Sequence, residues 1–186
     1  MTNHHDKECR IVALIGKDRQ RAANEIYGVY AGYVTGICSR YLSCDDDIKD
    51  VAQESFVKIF MSVNSFSYSG AGSLTAWIGR IAVNCALNYL RENNRIKFAS
   101  SSDEIPDIAE DPPDTASLSA SEIAALIREL PDGYRTVFNL YAIEGKRHKE
   151  IARLLGIKEN SSASQYLRAK ALLALKIKEY LAVYER

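Results

Sequence analysis

A stretch near the middle of the chain interrupts an otherwise regular helical pattern. Residues 99–117, ASSSDEIPDIAEDPPDTAS, hold three of the four prolines, many serines and acids, and no aromatic residue. Proline ends helices, and so polar a segment cannot bury enough apolar surface to fold by itself. The sequence therefore predicts two domains, 1–97 and 119–186, joined by a flexible acidic linker over residues 98–118.

The parts that flank the linker show the period of amphipathic helices. Apolar residues recur three or four positions apart over residues 19–42, and again over 48–63 and 74–94. After the linker, Ser119 or Ser121 can begin a short helix. No segment alternates between apolar and polar residues for long enough to predict a sheet. We therefore expect an all-α chain of two small helical domains, the second a helix-turn-helix domain.

The net charge of zero conceals an uneven distribution. Residues 1–99 carry a net charge of +2, residues 100–133 carry −8, and residues 134–186 carry +6. This balance argues against a uniformly basic protein that binds nucleic acid by charge alone. Each end of the chain can still offer a local positive surface.

The amino terminus predicts neither a signal peptide nor a membrane anchor. Its apolar core spans about six residues, whereas a secretory signal needs roughly 7–15. No apolar run approaches the roughly 20 residues that span a bilayer. We therefore expect a cytoplasmic protein without membrane insertion.

No catalytic site, metal site or cofactor is predicted. Cys9, Cys38, Cys44 and Cys85 lack metal-site spacing and are expected to be reduced thiols, although Cys38 and Cys44 could close a short loop in an oxidising compartment. His4 and His5 beside Cys9 could bind a stray metal ion, but they are expected to form a frayed, solvated terminus. The sequence contains no Ser/His/Asp grouping, His/Glu metal pair or phosphate-binding loop, so we do not expect an enzyme.

Residues 148–170 have the spacing of a helix-turn-helix. Ala152 supplies a small residue where the two helices cross, and Gly156 can leave the right-handed helical conformation in the turn. Asn160 or Ser161 can then cap the second helix. An αα-hairpin that serves only for packing has a similar pattern, but the serine-rich cap after the Ala-xxx-Gly-Ile spacing favours a DNA reader.

Two longer blocks resemble a known family. Region 4 of bacterial extracytoplasmic-function sigma factors closely resembles the block LPDGYRTVFNLYAIEGKRHKEIARLLGIKENSSASQYLRAKALL, residues 130–173. Region 2 of the same family is similar to DDIKDVAQESFVKIF and GSLTAWIGRIAVNCALNYLRE, residues 46–60 and 72–92. Two blocks in the right order are more specific than either alone. The resemblance implies an RNA polymerase sigma factor that binds core RNA polymerase and directs promoter recognition and transcription initiation.

The resemblance assigns polymerase binding to one face of a helix. A mixed face of amide and carboxylate groups suits a wet, exchangeable interface with arginine-bearing helices. A merely solvated acidic face is the alternative. The positions that match the family's main polymerase contact are Asp50, Gln53, Glu54 and Val57.

The resemblance assigns the minus-ten promoter element to residues 74–94 and to the loop Ser69–Ser73. This loop is similar to the family's base-capture loop, which receives bases after the strands separate. Trp77 is expected to pack internally rather than to stack on bases. The side chains expected to meet phosphates or base edges are Arg80, Asn84, Asn88 and Arg91, with Asn84 chosen for base recognition and Arg95 and Lys97 adding charge nearby.

The resemblance puts the second helix of the helix-turn-helix in the major groove of the minus-thirty-five element. Family members commonly begin this helix with Gly-Thr, where this chain has Asn160-Ser161, and often carry a basic residue in place of Ala163. The preceding helix adds positive charge through Arg147, Lys149 and Arg153. The expected DNA contacts are Ser161, Ser162, Ser164, Gln165, Arg168 and Lys170.

The implied partners are core RNA polymerase and promoter DNA, and the family makes an anti-sigma factor a plausible third. A free-standing helix-turn-helix regulator is the alternative function. Such a regulator would bind duplex DNA without polymerase, and it would leave Asp50, Gln53 and Glu54 without a role.

Overall fold

The computed structural model describes residues 4–93, 113 and 115–184. Every regular element in this part of the chain is helical, which confirms the predicted all-α class. The chain divides into two compact units, Met1–Tyr89 and Leu90–Arg186. The predicted linker over residues 98–118 lies mostly outside the described residues, and its boundaries stay a prediction. Among the described helices, none has both the length and the apolar character needed to cross a membrane.

The described part of the amino-terminal unit contains three α-helices and all but the last three residues of a fourth. The carboxylate of Asp18 fixes the start of the second one, because it accepts a hydrogen bond from the backbone N–H of Arg21 at 3.0 Å. Three aspartates in the first turn of the third helix favour its start through the helix dipole. The helices are α1 (His4–Leu14), α2 (Arg19–Tyr41), α3 (Asp45–Ser62), which continues as the 3-10 turn Val63–Ser65, and α4 (Ser73–Glu92).

Helix α1 departs from the sequence expectation. His4 and His5, which were expected to fray, are the first two residues of this helix. Ile11 of α1 is fully buried, and Arg10 forms an ion pair with Glu25 of α2. Burial of apolar surface offsets the entropy lost when a terminus becomes ordered. The expectation of a frayed terminus was therefore wrong, and α1 is part of the fold.

Helix α2 supplies a large part of the core of the amino-terminal unit. The Tyr30 hydroxyl bonds with Thr75 Oγ1 of α4 at 3.1 Å. Gly79 of α4 leaves room for the Tyr33 hydroxyl, which would lie 2.6 Å from a Cβ atom at that position. The two helices therefore approach closely there. The buried residues of α2 lie along one side of the helix: Ala22, Ile26, Tyr30, Val34, Ile37, Cys38 and Tyr41.

All four cysteines are free. This confirms the expectation of separate thiols, and the clip between Cys38 and Cys44 does not form. Cys38 and Cys85 are buried, and burial raises the pKa of Cys38 to about 12. The Cys38 thiol therefore stays protonated at neutral pH and serves as a small apolar side chain.

The described part of the carboxyl-terminal unit contains four α-helices. Ser119 caps the first one through a capping box with Glu122, in agreement with the sequence. The buried Arg135 side chain closes the next turn by donating to the carbonyls of Arg128 at 2.5 Å and Leu130 at 3.2 Å. The helices are α5 (Ala120–Arg128), α6 (Asp132–Phe138), which continues as the π-helical turn Asn139–Ile143, α7 (His148–Leu155) and α8 (Glu159–Tyr184).

Helices α7 and α8 form the predicted helix-turn-helix. Gly156 ends α7 in the left-handed conformation with φ of 68°, which confirms its predicted role. The predicted caps, Asn160 and Ser161, were wrong because α8 already begins at Glu159. The Ser164 hydroxyl instead donates to the carbonyl of Asn160 at 2.9 Å inside the helix.

A hydrophobic cluster packs α5 and the loop after it against the middle of α8. Ala169 is fully buried at this contact, and its small side chain lets the helices approach closely. Because the cluster holds one side of α8 inward, it also decides which side chains of α8 face solvent. The buried members are Leu126, Ile127, Leu130, Ala169, Leu173 and Ile177.

The Glu122 carboxylate anchors the start of α5 in a pH-dependent way. It accepts hydrogen bonds from Ser119 Oγ at 2.6 Å and from the Tyr180 hydroxyl of α8 at 2.7 Å. These bonds, that of Ser119 first, lower the Glu122 pKa from 4.5 to about 2. Since the pKa is lowered in the folded state, the stabilisation is present above pH 4.5 and is lost as the pH falls toward 2.

Replacing this carboxylate tests the anchor. Glu122→Gln is expected to lower the Tm clearly at about pH 6 and less at about pH 3, because the native carboxylate loses its advantage in acid. Circular dichroism during thermal unfolding measures both values. Glu129→Gln is the control, because it breaks only the exposed ion pair with Lys176, 2.6 Å long, and exposed pairs contribute little. A Tm loss from Glu122→Gln that is equal at both pH values contradicts the role.

Candidate nucleic-acid and partner interfaces

The outward face of α3 carries the four residues predicted to bind polymerase. All four side chains are exposed, and Val57 is 55% exposed. Positions three and four apart lie on one face of a helix, so α3 brings them together on one surface. The opposite face packs into the core through Ile48, Val51, Ala52, Ser55, Phe56 and Ile59. The four exposed residues, called the α3 face below, are Asp50, Gln53, Glu54 and Val57.

One residue of the α3 face forms an ion pair, and an exposed apolar residue lies next to the face. Glu54 pairs with Lys58 at 2.5 Å, and both side chains are close to half exposed, so a partner's cation can replace the lysine at small cost. Met61 is 75% exposed and lies one turn beyond Val57. Sequence analysis missed Met61, although its position four residues after Val57 was the available signal. Exposed methionine is an adaptable contact for a partner protein.

A stripe along α4 carries the residues predicted to bind the minus-ten element. Arg80, Asn84 and Arg91 are exposed, and Asn88 is half-buried. Intervals of four, four and three residues keep the stripe on one side of the helix. Guanidinium groups bind phosphates, and amides can pair with base edges. The stripe is held outward because Ile78, Ala82, Cys85, Ala86 and Leu90 are fully buried.

The beginning of α4 is held by a side chain from α1. Glu8 is 1% exposed, and its two carboxylate oxygens accept hydrogen bonds from the backbone N–H of Gly72 at 2.6 Å and of Leu74 at 2.5 Å. Ser73 is the first residue of the helix. Sequence analysis missed Glu8, because a single glutamate more than sixty residues upstream leaves no local signal.

The loop between α3 and α4 is bracketed by further contacts. Phe66 packs on Trp77 of α4 with ring centroids 5.4 Å apart, and Trp77 is half-buried. Cys9 of α1 lies beside Tyr68, with Sγ 3.8 Å from the hydroxyl. Gly70 has φ of 123°, a conformation that other residues rarely adopt. The loop therefore has a defined shape that side chains of α1 and α4 support.

Three of the six residues predicted to contact the minus-thirty-five element are buried. Ser162 is 0%, Gln165 2% and Arg168 5% exposed. A side chain this buried cannot reach a base edge or a phosphate in this conformation. We therefore correct their assignment: these three polar residues are buried and are left out of the DNA surface.

The inward side of α8 is tied to α7 through a hydrogen bond and ring contacts. His148 Nδ1 lies 3.0 Å from Ser162 Oγ. The His148 ring stacks on Tyr141 with centroids 4.4 Å apart, and Tyr141 lies 4.4 Å from the Tyr166 ring. His148, which had no assigned role in the sequence, thus links the start of α7 to α8 and to the π-helical turn. These contacts fix the orientation of α8.

The outward side of α8 presents a nearly neutral surface with a basic rim. Ser161 and Ser164 are half-exposed, and Lys170 is exposed, with its Nζ 5.9 Å from the Tyr166 ring. Leu167, which sequence analysis missed, is 44% exposed between them. A leucine here can contact a thymine methyl group. The rim consists of the exposed residues Arg147, Lys149, Arg153 and Lys158.

Comparisons with known proteins match both units. The family model "Sigma-70 region 2" matches residues 26–96, and "Sigma-70, region 4" matches residues 120–173. A solved structure described as CnrH in complex with the cytosolic domain of CnrY covers 91% of this chain and 96% of its own, with 22% identity and a TM-score of 0.49.

Curated relatives match over nearly the whole chain. An ECF RNA polymerase sigma-E factor of Haemophilus influenzae is 31% identical over 182 residues, which cover 90% of this chain and 93% of that protein. A protein of the same description from Escherichia coli K12 is 28% identical and covers 90% and 92% of the two chains. Both domain matches and both relatives agree with the resemblance found in the sequence. The chain belongs to the ECF family of RNA polymerase sigma factors.

Proposed function

We propose that this chain is the promoter-specificity subunit of an RNA polymerase: it binds the core enzyme, directs it to promoters and supports transcription initiation. The observation that carries the proposal is that one chain joins a region 2 match to a region 4 match. The polymerase supplies the chemistry of RNA synthesis, so the chain needs no active site of its own. This role puts the chain in the cytoplasm, together with polymerase and DNA.

Core polymerase binds the α3 face in this proposal. The face combines Gln53 and two carboxylates with the exposed apolar side chain of Val57, and Met61 adds a second exposed apolar side chain next to it. Arginine groups on a partner helix can pair with the carboxylates, while the apolar groups supply the buried centre that interfaces need. The second function considered, a free-standing regulator, gives this surface no use.

Promoter DNA binds both units in this proposal. The α4 stripe, led by Asn84, meets the opened minus-ten strand, and the outward side of α8 meets the minus-thirty-five duplex. On α8 the proposed contacts are Ser161, Ser164, Leu167 and Lys170, with the basic rim on backbone phosphates. An anti-sigma factor, which the family resemblance makes a plausible third partner, has no assigned surface in this proposal.

Reconstitution with core polymerase tests the proposal. Transcripts made from fragmented genomic DNA by core polymerase plus this chain identify cognate promoters. We then expect Gln53→Ala combined with Glu54→Ala to weaken core binding about tenfold or more, because interface centres carry most of the affinity. Fluorescence anisotropy with labelled chain measures the binding. Transcription from the cognate promoter falls with it at limiting concentrations.

A substitution elsewhere on α3 is the control. Lys49→Ala breaks an exposed ion pair with Asp46, 3.1 Å long, but keeps all four residues of the α3 face. Core binding by this variant should equal that of the native chain. Failure of the native chain to bind core polymerase and transcribe any promoter contradicts the proposed function.

Two residues on the outward side of α8 give different predictions for binding of the minus-thirty-five element. Lys170→Ala should weaken holoenzyme binding to all promoters and reduce the slope of log K against log salt by about 1. Leu167→Ala should instead change base preference in the minus-thirty-five element. Binding of holoenzyme to a promoter library at several salt concentrations measures both effects.

Two variants check this assignment. Lys178 lies at an exposed position two turns beyond Lys170. Lys178→Ala should therefore change the salt slope less than Lys170→Ala does. Ser162→Ala removes an inward hydroxyl and should not change which base is preferred. A switch in base preference from Ser162→Ala, together with none from Leu167→Ala, contradicts the outward surface described for α8.

A further inference from the structure

Glu8 is a carboxylate buried against the backbone of a distant segment. It projects from α1, and each of its oxygens receives one N–H: Oε2 from Gly72 at 2.6 Å and Oε1 from Leu74 at 2.5 Å. The Glu8 side chain is 1% exposed and Leu74 is fully buried. A buried charge is costly unless hydrogen bonds compensate it. The two backbone N–H groups at the start of α4 provide that compensation.

These bonds couple α1 to the conformation of the loop before α4. The first N–H groups of a helix have no partner inside it, and the helix dipole favours a negative charge there. Gly72, which donates one of the bonds, has φ of 83°, and Gly70 has φ of 123°. Glycine in such a loop can adopt many other conformations. The Glu8 carboxylate therefore selects one loop conformation among several accessible ones.

A second contact from α1 holds the same loop at its other end. Cys9 Sγ lies 3.8 Å from the Tyr68 hydroxyl, while Ser73 Oγ accepts a bond from the Ser69 N–H at 3.3 Å. The segment 68–74 is thus bracketed by consecutive residues of α1. The Tyr68 ring remains 41% exposed, so the bracket leaves the solvent side of the loop open.

We propose that Glu8 is a positioning residue for promoter opening. From α1 it holds the loop 68–72 in a preformed shape that receives an unstacked base of the minus-ten strand. Preformed loops bind better because less conformational entropy is lost on binding. Glu8 itself is buried and does not touch DNA. This inference rests on the proposed function, and it adds α1 to the parts of the chain that act on the promoter.

Glu8→Gln in the reconstituted holoenzyme tests the inference. The amide keeps the size of the side chain but has one oxygen in place of two, so one backbone N–H loses its acceptor. We expect affinity for a single-stranded minus-ten oligonucleotide to fall about tenfold, with weaker discrimination between bases. Opening of the duplex promoter should be slower than with the native holoenzyme. Binding of the variant holoenzyme to a promoter with a premelted, mismatched bubble should also stay weaker than native binding. Affinity for core polymerase should stay within about twofold of the native value.

Glu25→Gln is the matched control. Glu25 also links α1 to α2, through its ion pair with Arg10, but it does not contact the loop. This variant should keep native affinity for the oligonucleotide. Hydrogen exchange adds a direct readout: amides 72 and 74 should exchange faster in Glu8→Gln and at the native rate in Glu25→Gln. If Glu8→Gln does not fold, Glu8→Asp, which keeps the charge but shortens the reach, is judged by the same measurements.

The outcomes separate the inference from the proposed function. Native oligonucleotide affinity and base discrimination in a folded Glu8→Gln holoenzyme overturn the inference. Equal losses of core binding and oligonucleotide binding also overturn it, because Glu8 would then only stabilise the unit. If the native chain itself neither binds core polymerase nor opens a promoter, the proposed function fails, and this inference fails with it.

Discussion

Each helix of this small protein must bury one side to hold its unit together, and only the opposite side remains for partners. This constraint decides the candidate sites. On α3 the apolar side packs inward and leaves Gln53 and Glu54 exposed. On α8 the same constraint turns polar residues inward, so Ser162 and Gln165 support the fold and are not available to DNA.

The sequence predicted those parts of the structure that depend on local pattern. Helical periodicity identified α2, α3 and α4, and the α3 face followed from spacing once the family resemblance was recognised. Gly156 ended α7 as expected because a left-handed residue is a local requirement. Interactions between distant segments were not predictable in this way. The cap that Glu8 gives to α4 is an example, because neither partner carries a local signature of the other.

Helix α8 explains why one half of a predicted site was wrong. Residues 161–165 are polar or small on every side, so periodicity gave no direction for the inward face. Packing against the cluster around Ala169 and the bond between Ser162 and His148 set that direction instead. The outward surface at the start of α8 is nearly neutral, and its positive charge comes from Lys170 and the rim. So few cations release few counterions from DNA, and the unit alone should bind weakly.

We therefore expect that the two proposed DNA surfaces on this chain bind a promoter well only when polymerase holds both of them. The most direct measurement compares promoter affinity of the chain alone with that of the reconstituted holoenzyme, by fluorescence anisotropy at one salt concentration. We expect the chain alone to bind at least about a hundredfold more weakly, since linked sites gain roughly that factor or more. Equal affinity of the chain alone and the holoenzyme for the cognate promoter contradicts the claim.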